Sequence, residues 1–400
     1  MKKVVVIGDG IVGLLSALTS AKYNHDVTLI NIGKQANKES KIERYFSINL
    51  LSKHVLMSHG VWEFIDEKCI NPFNKIIAWD SFSGSEVTFN SQSISFDYLG
   101  YIIKESEIKK ILLKEINQNK YISYFKNVKS IDIKNEEDNP YVISDNHKIY
   151  FDILVAADGK SSDVVNILNI NNNFVSYDQN AIVMNVQIKD NITRNTSYQR
   201  FNRGDVQGLL PINGNTYNLI WSTDKENSEK LIKSKKSNLL RILNNDLSNN
   251  IGHITSISSI SKFPLSHSYL ESNTKDKIIF IGDAAHTIHP LAGLGLNMGI
   301  QDVFFLDLAF EKYFSFSNTI DSSFLNYYKI LSGQQNKKIM NTVNFLKKFY
   351  EENFIPSIVK KSLVKIFDDN SFLKSEIIRE ATGVSTLKNL STRDYYQPHY

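Results

Sequence analysis

One cysteine, Cys69, in 400 residues leaves no internal disulfide to form, and it has no partner in a metal-ligand spacing. It reads as a core or near-surface thiol, and a reducing, cytoplasmic setting fits. Charge of one sign is also scarce. A formal net charge of +4, spread over dispersed lysines, gives no argument for nucleic acid and leaves only a weak preference for anionic surfaces or cofactors. No stretch reaches the ~20 uninterrupted apolar residues of a membrane span. Lys2-Lys3 and the apolar run after them superficially resemble a secretory signal, yet Asp9 and three glycines interrupt the run. Internal repeats and low-complexity linkers are absent.

What is present is ordinary for a folded protein, at 42% hydrophobic and 22% charged residues, which excludes disorder. Four hundred residues exceed a single usual core, so two connected domains, or one large α/β domain with an insertion, are expected.

The most informative stretch is 278–302. An apolar strand (278–281) runs into Gly282-Asp283, then a loop broken by Pro290, Gly293 and Gly295, then a helix from about Leu296. Asp283 can accept hydrogen bonds from sugar-like hydroxyls. Gly293, Gly295 and Gly299 clear side chains from backbone lying against a flat molecule, and the helix start aims free N–H groups at the same spot.

The chain opens on a β-branched strand (4–7), then Gly8-Asp-Gly-Ile-Val-Gly13, an apolar helix (11–23) and a second strand (26–30). Strand, G-x-G-x-x-G, helix and strand in ~30 residues is the context of a dinucleotide site: Gly8, Gly10 and Gly13 permit the turn, the approach of a pyrophosphate and close packing. Asn31 stands where Asp or Glu normally meets the ribose, so that contact is weaker in kind. Arg44, ahead of a helix expected over 51–65, is either a forked donor for the pyrophosphate or a salt-bridged surface arginine. Asp158 and Gly159 end another apolar strand and repeat the logic of Asp283, although alone they read as a turn.

Residues 181–188, 196–201, 206–211 and 217–222 read as successive antiparallel strands with many aromatic residues, the texture of a sheet inserted into the nucleotide fold. A helix and loop (225–250) and one strand (254–263) follow. After Asp302 the chain is helical. Ile355, Val359, Leu363 and Ile366 share one helix face, with Lys360, Lys361 and Lys365 elsewhere, which fits either a packed helix with a solvated face or a helix lying on a membrane. His286 and His289 lack the spacing of a zinc site and read as residues bonding local backbone to hold their loop.

Together, Gly8 to Gly13, Ala157-Asp-Gly159 and the run from Gly282-Asp-Ala-Ala-His to Asn-Met-Gly-Ile-Gln-Asp302 resemble the class A FAD-dependent aromatic hydroxylases, most closely those of ubiquinone biosynthesis. Tyr198-Gln-Arg-Phe201, 209–212, 220–222, 263–265, Asn336 and Ala381-Thr-Gly383 extend the resemblance over most of the chain. It implies an α/β fold, a Rossmann-like FAD-binding domain with an inserted antiparallel β-sheet substrate domain and a C-terminal helical tail. The implied division is 1–73, 98–175 and 276–325 for FAD, 74–97 and 176–275 for substrate, and 326–400 for the tail.

The resemblance assigns Gly8, Gly10 and Gly13 to the pyrophosphate, Asn31 to the ribose, Arg44 to the pyrophosphate region and Asp283 to the ribityl chain or pyrophosphate. Pro290, Gly293, Leu294, Gly295, Leu296 and Asn297 would border the flavin ring, Asp158 and Gly159 would serve FAD and transient NAD(P)H, and no acid or base is named. Tyr198, Arg200, Phe201, Pro211 and Trp221 are candidates for the substrate side, though strand alternation puts only about half of them on one face. Departures from the family pattern are Asn31, Val165 for an arginine, Leu294 for a glutamine and Gln301 for an arginine.

The implied chemistry is reduction of FAD by NADH or NADPH, reaction with O₂ to a C4a-hydroperoxide, and oxygen transfer to an electron-rich ring. A polyprenylated phenol or quinol of ubiquinone biosynthesis is the expected substrate. A water-soluble aromatic substrate, or a flavin-binding accessory subunit with little turnover, stays open. So does peripheral association with the inner face of the membrane or with other enzymes.

Overall fold

The computed structural model describes residues 1–33, 43–134, 136, 139–145, 147–189, 193, 195–258, 260–288, 293–314, 320–351 and 355–391. His289 and Pro290 lie outside the described residues.

The helices among them are α1 (Ile11–Lys22), α2 (Leu50–Ser58), α3 (Glu105–Gln118), α4 (Asp163–Ile167), α5 (Lys225–Lys233), α6 (Lys236–Ile251), α7 (Leu294–Phe314), α8 (Ser322–Glu351), α9 (Ser357–Asp369), α10 (Ser371–Ala381) and α11 (Val384–Ser391).

A six-stranded sheet runs in the order Thr274–Lys275, Ile278–Phe280, Ile153–Ala156, Lys3–Ile7, Asp26–Ile32, Ile122–Val128. All neighbours are parallel except the first pair. Val4 to Ile7 are buried on both faces, as an unbroken β-branched run in a parallel sheet must be. Leu14 of α1, Ile108 of α3, Ile300 of α7 and Tyr328 of α8 pack on one face. A small antiparallel sheet presenting Ile133 and Val142 covers the other.

The second large sheet has nine strands. Its path is His286–Thr287, Ser261–Leu270, Asn172–Lys189, Thr216–Asp224, Asp205–Asn213, Thr196–Asn202, Lys75–Asp80, Ser85–Asn90, with His253–Ile257 also on Asn172–Lys189. Alternation gives it two unlike faces. Ile182, Met184, Val186 and Ile188 meet Leu239, Leu243, Leu247 and Ile251 of α6, spaced four apart along one helix stripe. The opposite face carries Phe201, Ala78 and Val206 against Leu294 and Met298 of α7 and Met340 and Val343 of α8. The two sheets share a seam where Ser268 pairs Thr287 just after the Gly282 turn.

Three expectations change. The helix expected through 65 stops at Ser58, because Gly60 adopts φ +63° and only a short 3₁₀ turn, Trp62–Phe64, follows. The strand expected over 254–263 is two, His253–Ile257 and Ser261–Leu270, which pair with successive portions of one long partner strand. The helix after the glycine loop begins at Leu294, two residues early, so Gly295 and Leu296 lie in its first turn.

Candidate functional site

The first two glycine islands touch. Gly8 has φ +115°, and a Cβ there would stand 2.2 Å from the Ala157 carbonyl oxygen; one on Gly13 would stand 2.0 Å from the Gly8 carbonyl oxygen. Both positions therefore exclude any side chain. Gly10 differs: nothing lies within 4 Å of its added Cβ, and as N-cap of α1 it supplies no side-chain bond to the first-turn N–H groups. Open space facing uncapped donors at a positive helix end suits a pyrophosphate. Asp9 is tied back to the sheet edge by the Tyr124 hydroxyl at 2.9 Å and to α3 by Lys109 at 3.4 Å.

Asp158 Oδ2 accepts the N–H groups of Asp163 (2.7 Å) and Val164 (3.2 Å), which caps α4. Its buried Oδ1 meets no protein donor among the described residues. Burial pushes this carboxyl up, against the Ser162 hydroxyl and the backbone donors. An acceptor left over beside the Gly8 turn fits a polar ligand there. Val165, where the family carries arginine, is buried among Val128, Val142 and Leu154, so that charge has become core.

Asp283 keeps solvent contact yet is hemmed in by protein, as on a cleft floor. Desolvation raises its carboxyl, opposed by the charges of His286, Lys160 and Arg44. Hydroxyls of a polyol would meet an acceptor there, with two basic side chains near. Arg44 itself is forked onto Glu105, Nε to Oε2 at 2.7 Å and Nη2 to Oε1 at 3.3 Å, so of its two readings the ion pair is present. Asn31 Oδ1 accepts the Asn127 N–H at 3.2 Å across the sheet edge, which leaves its amide N–H₂ as the group to turn toward a ribose.

His286 holds its loop through a carboxylate as well as through its own backbone. Its Nε2 lies 2.6 Å from Asp302 Oδ2, which also accepts the Gly282 N–H at 2.9 Å; Oδ1 accepts from Ser332 (2.7 Å) and Asn336 (2.8 Å). Asp302 is fully buried, so the two ends of the third island are locked together and to α8. Desolvation lowers the His286 imidazole, and the Asp302 carboxylate, its hydrogen bond and Asp283 raise it, with a net rise.

The side chain of Asn297 is also a clamp. Its Oδ1 accepts from the Asn49 N–H (3.0 Å) and the Ser52 hydroxyl (2.7 Å), while Nδ2 donates to Ser47 O (2.7 Å) and Gly293 O (3.0 Å). All four of its hydrogen-bonding positions are committed to protein. Gly293 has φ +64° and would bring a Cβ within 3.0 Å of Ser47, so the clamp fixes a tight turn at the head of α7. A Cβ on Gly299 would stand 2.7 Å from Val12 Cγ2 and 3.2 Å from Gly282 Cα, so this glycine permits close packing, whereas one on Gly295 would meet nothing within 4 Å. Leu294 packs with Phe201 and Met298; buried Gln301 leaves its Nε2 without a protein partner among the described residues.

Of the five residues expected on the substrate side, one lies on the sheet face that meets α7 and α8. Tyr198 and Trp221 are core between the sheet and α5 and α6. Arg200, on the same face, binds Asp246 of α6 (3.2 Å), Ser81 (2.7 Å) and Gln207 (3.0 Å). Buried Pro211 shares the strand parity of Leu209, also core there. Phe201 alone turns to α7 and α8, stacked on Tyr350 at 3.8 Å between centroids and 6° between planes. Burial and then Asp80 push the Tyr350 hydroxyl up to about 12. Aromatic content carried no face information; the strand parity of Val206 and Leu210, which share the Phe201 side, was the signal available.

The FAD binding domain family model matches residues 1–316. The chain is 24% identical over 415 residues to the ubiquinone biosynthesis monooxygenase COQ6, mitochondrial, of Rattus norvegicus, covering 90% of this chain and 86% of that protein. It is 23% identical over 305 residues to the 3-demethoxyubiquinol 3-hydroxylase of Escherichia coli K12, covering 75% and 77%. Among solved structures, PqsL, a probable FAD-dependent monooxygenase of Pseudomonas aeruginosa, superposes with TM-score 0.74 at 18% identity over 91% of this chain and 99% of that one. HpxO of Klebsiella pneumoniae, complexed with FAD and uric acid, does so with TM-score 0.72 at 13% identity over 96% of each. The expected fold class is the one found, and with its model spanning 1–316 the chain belongs to the FAD binding domain family.

Proposed function

We propose that the chain is an FAD- and NAD(P)H-dependent monooxygenase that hydroxylates the ring of a polyprenylated phenol or quinol in ubiquinone biosynthesis, working at the inner face of a membrane. The single observation that carries this reading is the apolar cluster in which Phe201 and Val206 of the nine-stranded sheet meet Leu294 and Met298 at the head of α7. It sets a carbon-rich sheet face beside the glycine loop and first turn of α7, the side from which an aromatic ring would approach a flavin. The names of the two relatives above support the quinone substrate.

Bound FAD supplies the oxygen chemistry, and the protein's task is to hold, orient and keep dry. Gly10 and the N-terminus of α1 hold the pyrophosphate, the Asn31 amide reaches the ribose, and Asp283 takes ribityl hydroxyls. Asp158 and Gly159 border the passage for the reductant. Gly295 and Leu296, in the first turn of α7, would border the flavin ring, where the positive end of the helix would favour negative charge. Arg44 acts from its ion pair with Glu105 as a fixed positive charge near Asp283.

The test is quinone profiling by mass spectrometry in a strain lacking this chain, with NAD(P)H oxidation by the purified yellow protein measured with and without a prenylphenol. A prenylated intermediate should accumulate and the prenylphenol should stimulate oxidation. Unchanged quinone content with turnover of a soluble ring would assign a soluble aromatic substrate instead. Bound FAD that no NAD(P)H reduces, whatever ring is present, would assign an accessory subunit.

A further inference from the structure

Phe201 is covered by a ring from the helical tail. Tyr350, in the last turn of α8, lies face to face on it, with 3.8 Å between centroids and 6° between planes. Aromatic side chains ordinarily offset or turn edge to face, with centroids about 4.5 to 7 Å apart. Tyr23 with His25 and Phe345 with Phe349, by comparison, stack at 6.4 and 6.0 Å with planes 29° and 28° apart. A near-parallel sandwich at contact distance marks a place shaped for a flat ring.

The two rings are held differently. Phe201 is buried within a strand of the sheet, whereas Tyr350 is only partly buried, and among the described residues no hydrogen bond holds its hydroxyl. The clamp on α8 is distant: Ser332 and Asn336 bond Asp302, and Tyr350 lies roughly four turns further on, about 21 Å along the axis. Its ring can therefore swing aside while the clamp stays closed. Behind Tyr350, Lys360 Nζ stands 5.5 Å from the ring centre and the Phe349 ring meets it edge-on at 5.1 Å. Burial and then Asp80 keep the hydroxyl protonated, so what rests on Phe201 is a neutral phenol.

We propose that the face of Phe201 is the subsite for the substrate ring and that the Tyr350 phenol is its placeholder, which the aromatic substrate displaces. This rests on the ring-hydroxylating reading above, and it adds where the ring binds and what it must move. Leu294, at the head of α7, belongs to the same apolar cluster, so a ring on Phe201 lies beside the glycine loop. The placeholder keeps water off the apolar face when no substrate is bound. Its consequence is a loss of affinity, because substrate binds only the fraction of molecules in which Tyr350 has left the stack. A fixed wall residue would act in the opposite direction, by adding contact to the substrate.

The test is calorimetric titration of the full FAD-loaded chain with phenol and with 2-prenylphenol. Tyr350→Ala should bind both about threefold or more tighter than the parent, Tyr350→Phe should match the parent, and Tyr350→Trp, a broader stacking ring, should bind more weakly. Opposite shifts from Ala and Trp cannot come from lost stability alone. The gain should shrink in the double variant F201A/Y350A measured against F201A, where no stack is left to break. Weaker or unchanged binding by Y350A makes Tyr350 part of the wall and overturns the proposal. So does a Y350F that binds as tightly as Y350A, which would put the effect on the hydroxyl. Phenols bound by none of the forms would overturn the ring-hydroxylating reading together with the placeholder, whereas phenols bound equally by all of them would overturn the placeholder alone.

Discussion

Lys360 Nζ lies 3.6 Å from Asp80 Oδ2, with the two side chains only 3% and 1% exposed, so a buried ion pair pins α9 to the strand Lys75–Asp80, next to the edge of the nine-stranded sheet. Asp80 is further held by the Phe82 N–H (3.1 Å) and the Ser83 hydroxyl (2.7 Å).

Removing one partner strands the other charge, which costs on the order of 3 kcal/mol. Lys360→Met should therefore lower the unfolding midpoint and expose 355–391 to protease, while the double variant K360M/D80N recovers much of the loss. A double variant no more stable than K360M would mean the pair is not coupled.

The three glycines of the first island should separate by substitution. Gly8→Ala and Gly13→Ala collide with backbone and should unfold the domain. Gly10→Ala meets nothing in the protein, so the apoprotein should melt as before while FAD affinity falls by about tenfold, roughly 1.4 kcal/mol. Flavin fluorescence titration reads this directly, and unchanged affinity would move the pyrophosphate elsewhere.

Asn297→Ala leaves four protein groups without their partner, for a loss on the order of 3 kcal/mol, and loosens the Gly293 turn. Both stability and FAD retention should drop. If only FAD retention changed, Asn297 would be a direct cofactor contact after all.

The folded imidazole of His286 is raised above the ordinary value near 6.5, so its pairing with Asp302 stabilises fully below that value and is lost as pH rises through the folded one. Urea unfolding from about pH 5 to 9 should show a decline above neutrality that His286→Asn flattens. An identical slope in the variant would rule this pair out as the source.

Phe201→Ala should raise KM for the aromatic substrate and change kcat less, because Phe201 lies on the sheet face that meets the head of α7. Trp221→Phe, behind the sheet, should leave KM alone and cost the indole bond to Asp205, 3.1 Å in the folded protein. A KM shift in the second variant and none in the first would reverse the assignment of faces.

Backbone requirements were the most legible part of the site. Gly8 and Gly13 are forced by carbonyl oxygens that an added Cβ would meet at 2.2 and 2.0 Å, and Gly282-Asp283 follows a strand that could be read from β-branched residues alone. Side-chain roles were less legible. Asn297, His286 and Arg200 each look chemical in the sequence, yet their partners, Ser47, Asp302 and Asp246, are set by packing between segments distant in the chain.

The sequence by itself determined the α/β class, the dinucleotide loop and the helical tail, because these follow from local period, β-branching and glycine spacing. Only the tertiary structure decided which face of the inserted sheet meets α7 and α8 and which side of α9 looks into water. Alternation states that two faces exist; which one is covered depends on α6 packing behind one and α7 and α8 in front of the other. The same reason put Lys360 inside and Ile366 outside: Asp80, 280 positions away, supplies the charge that makes burying a lysine favourable.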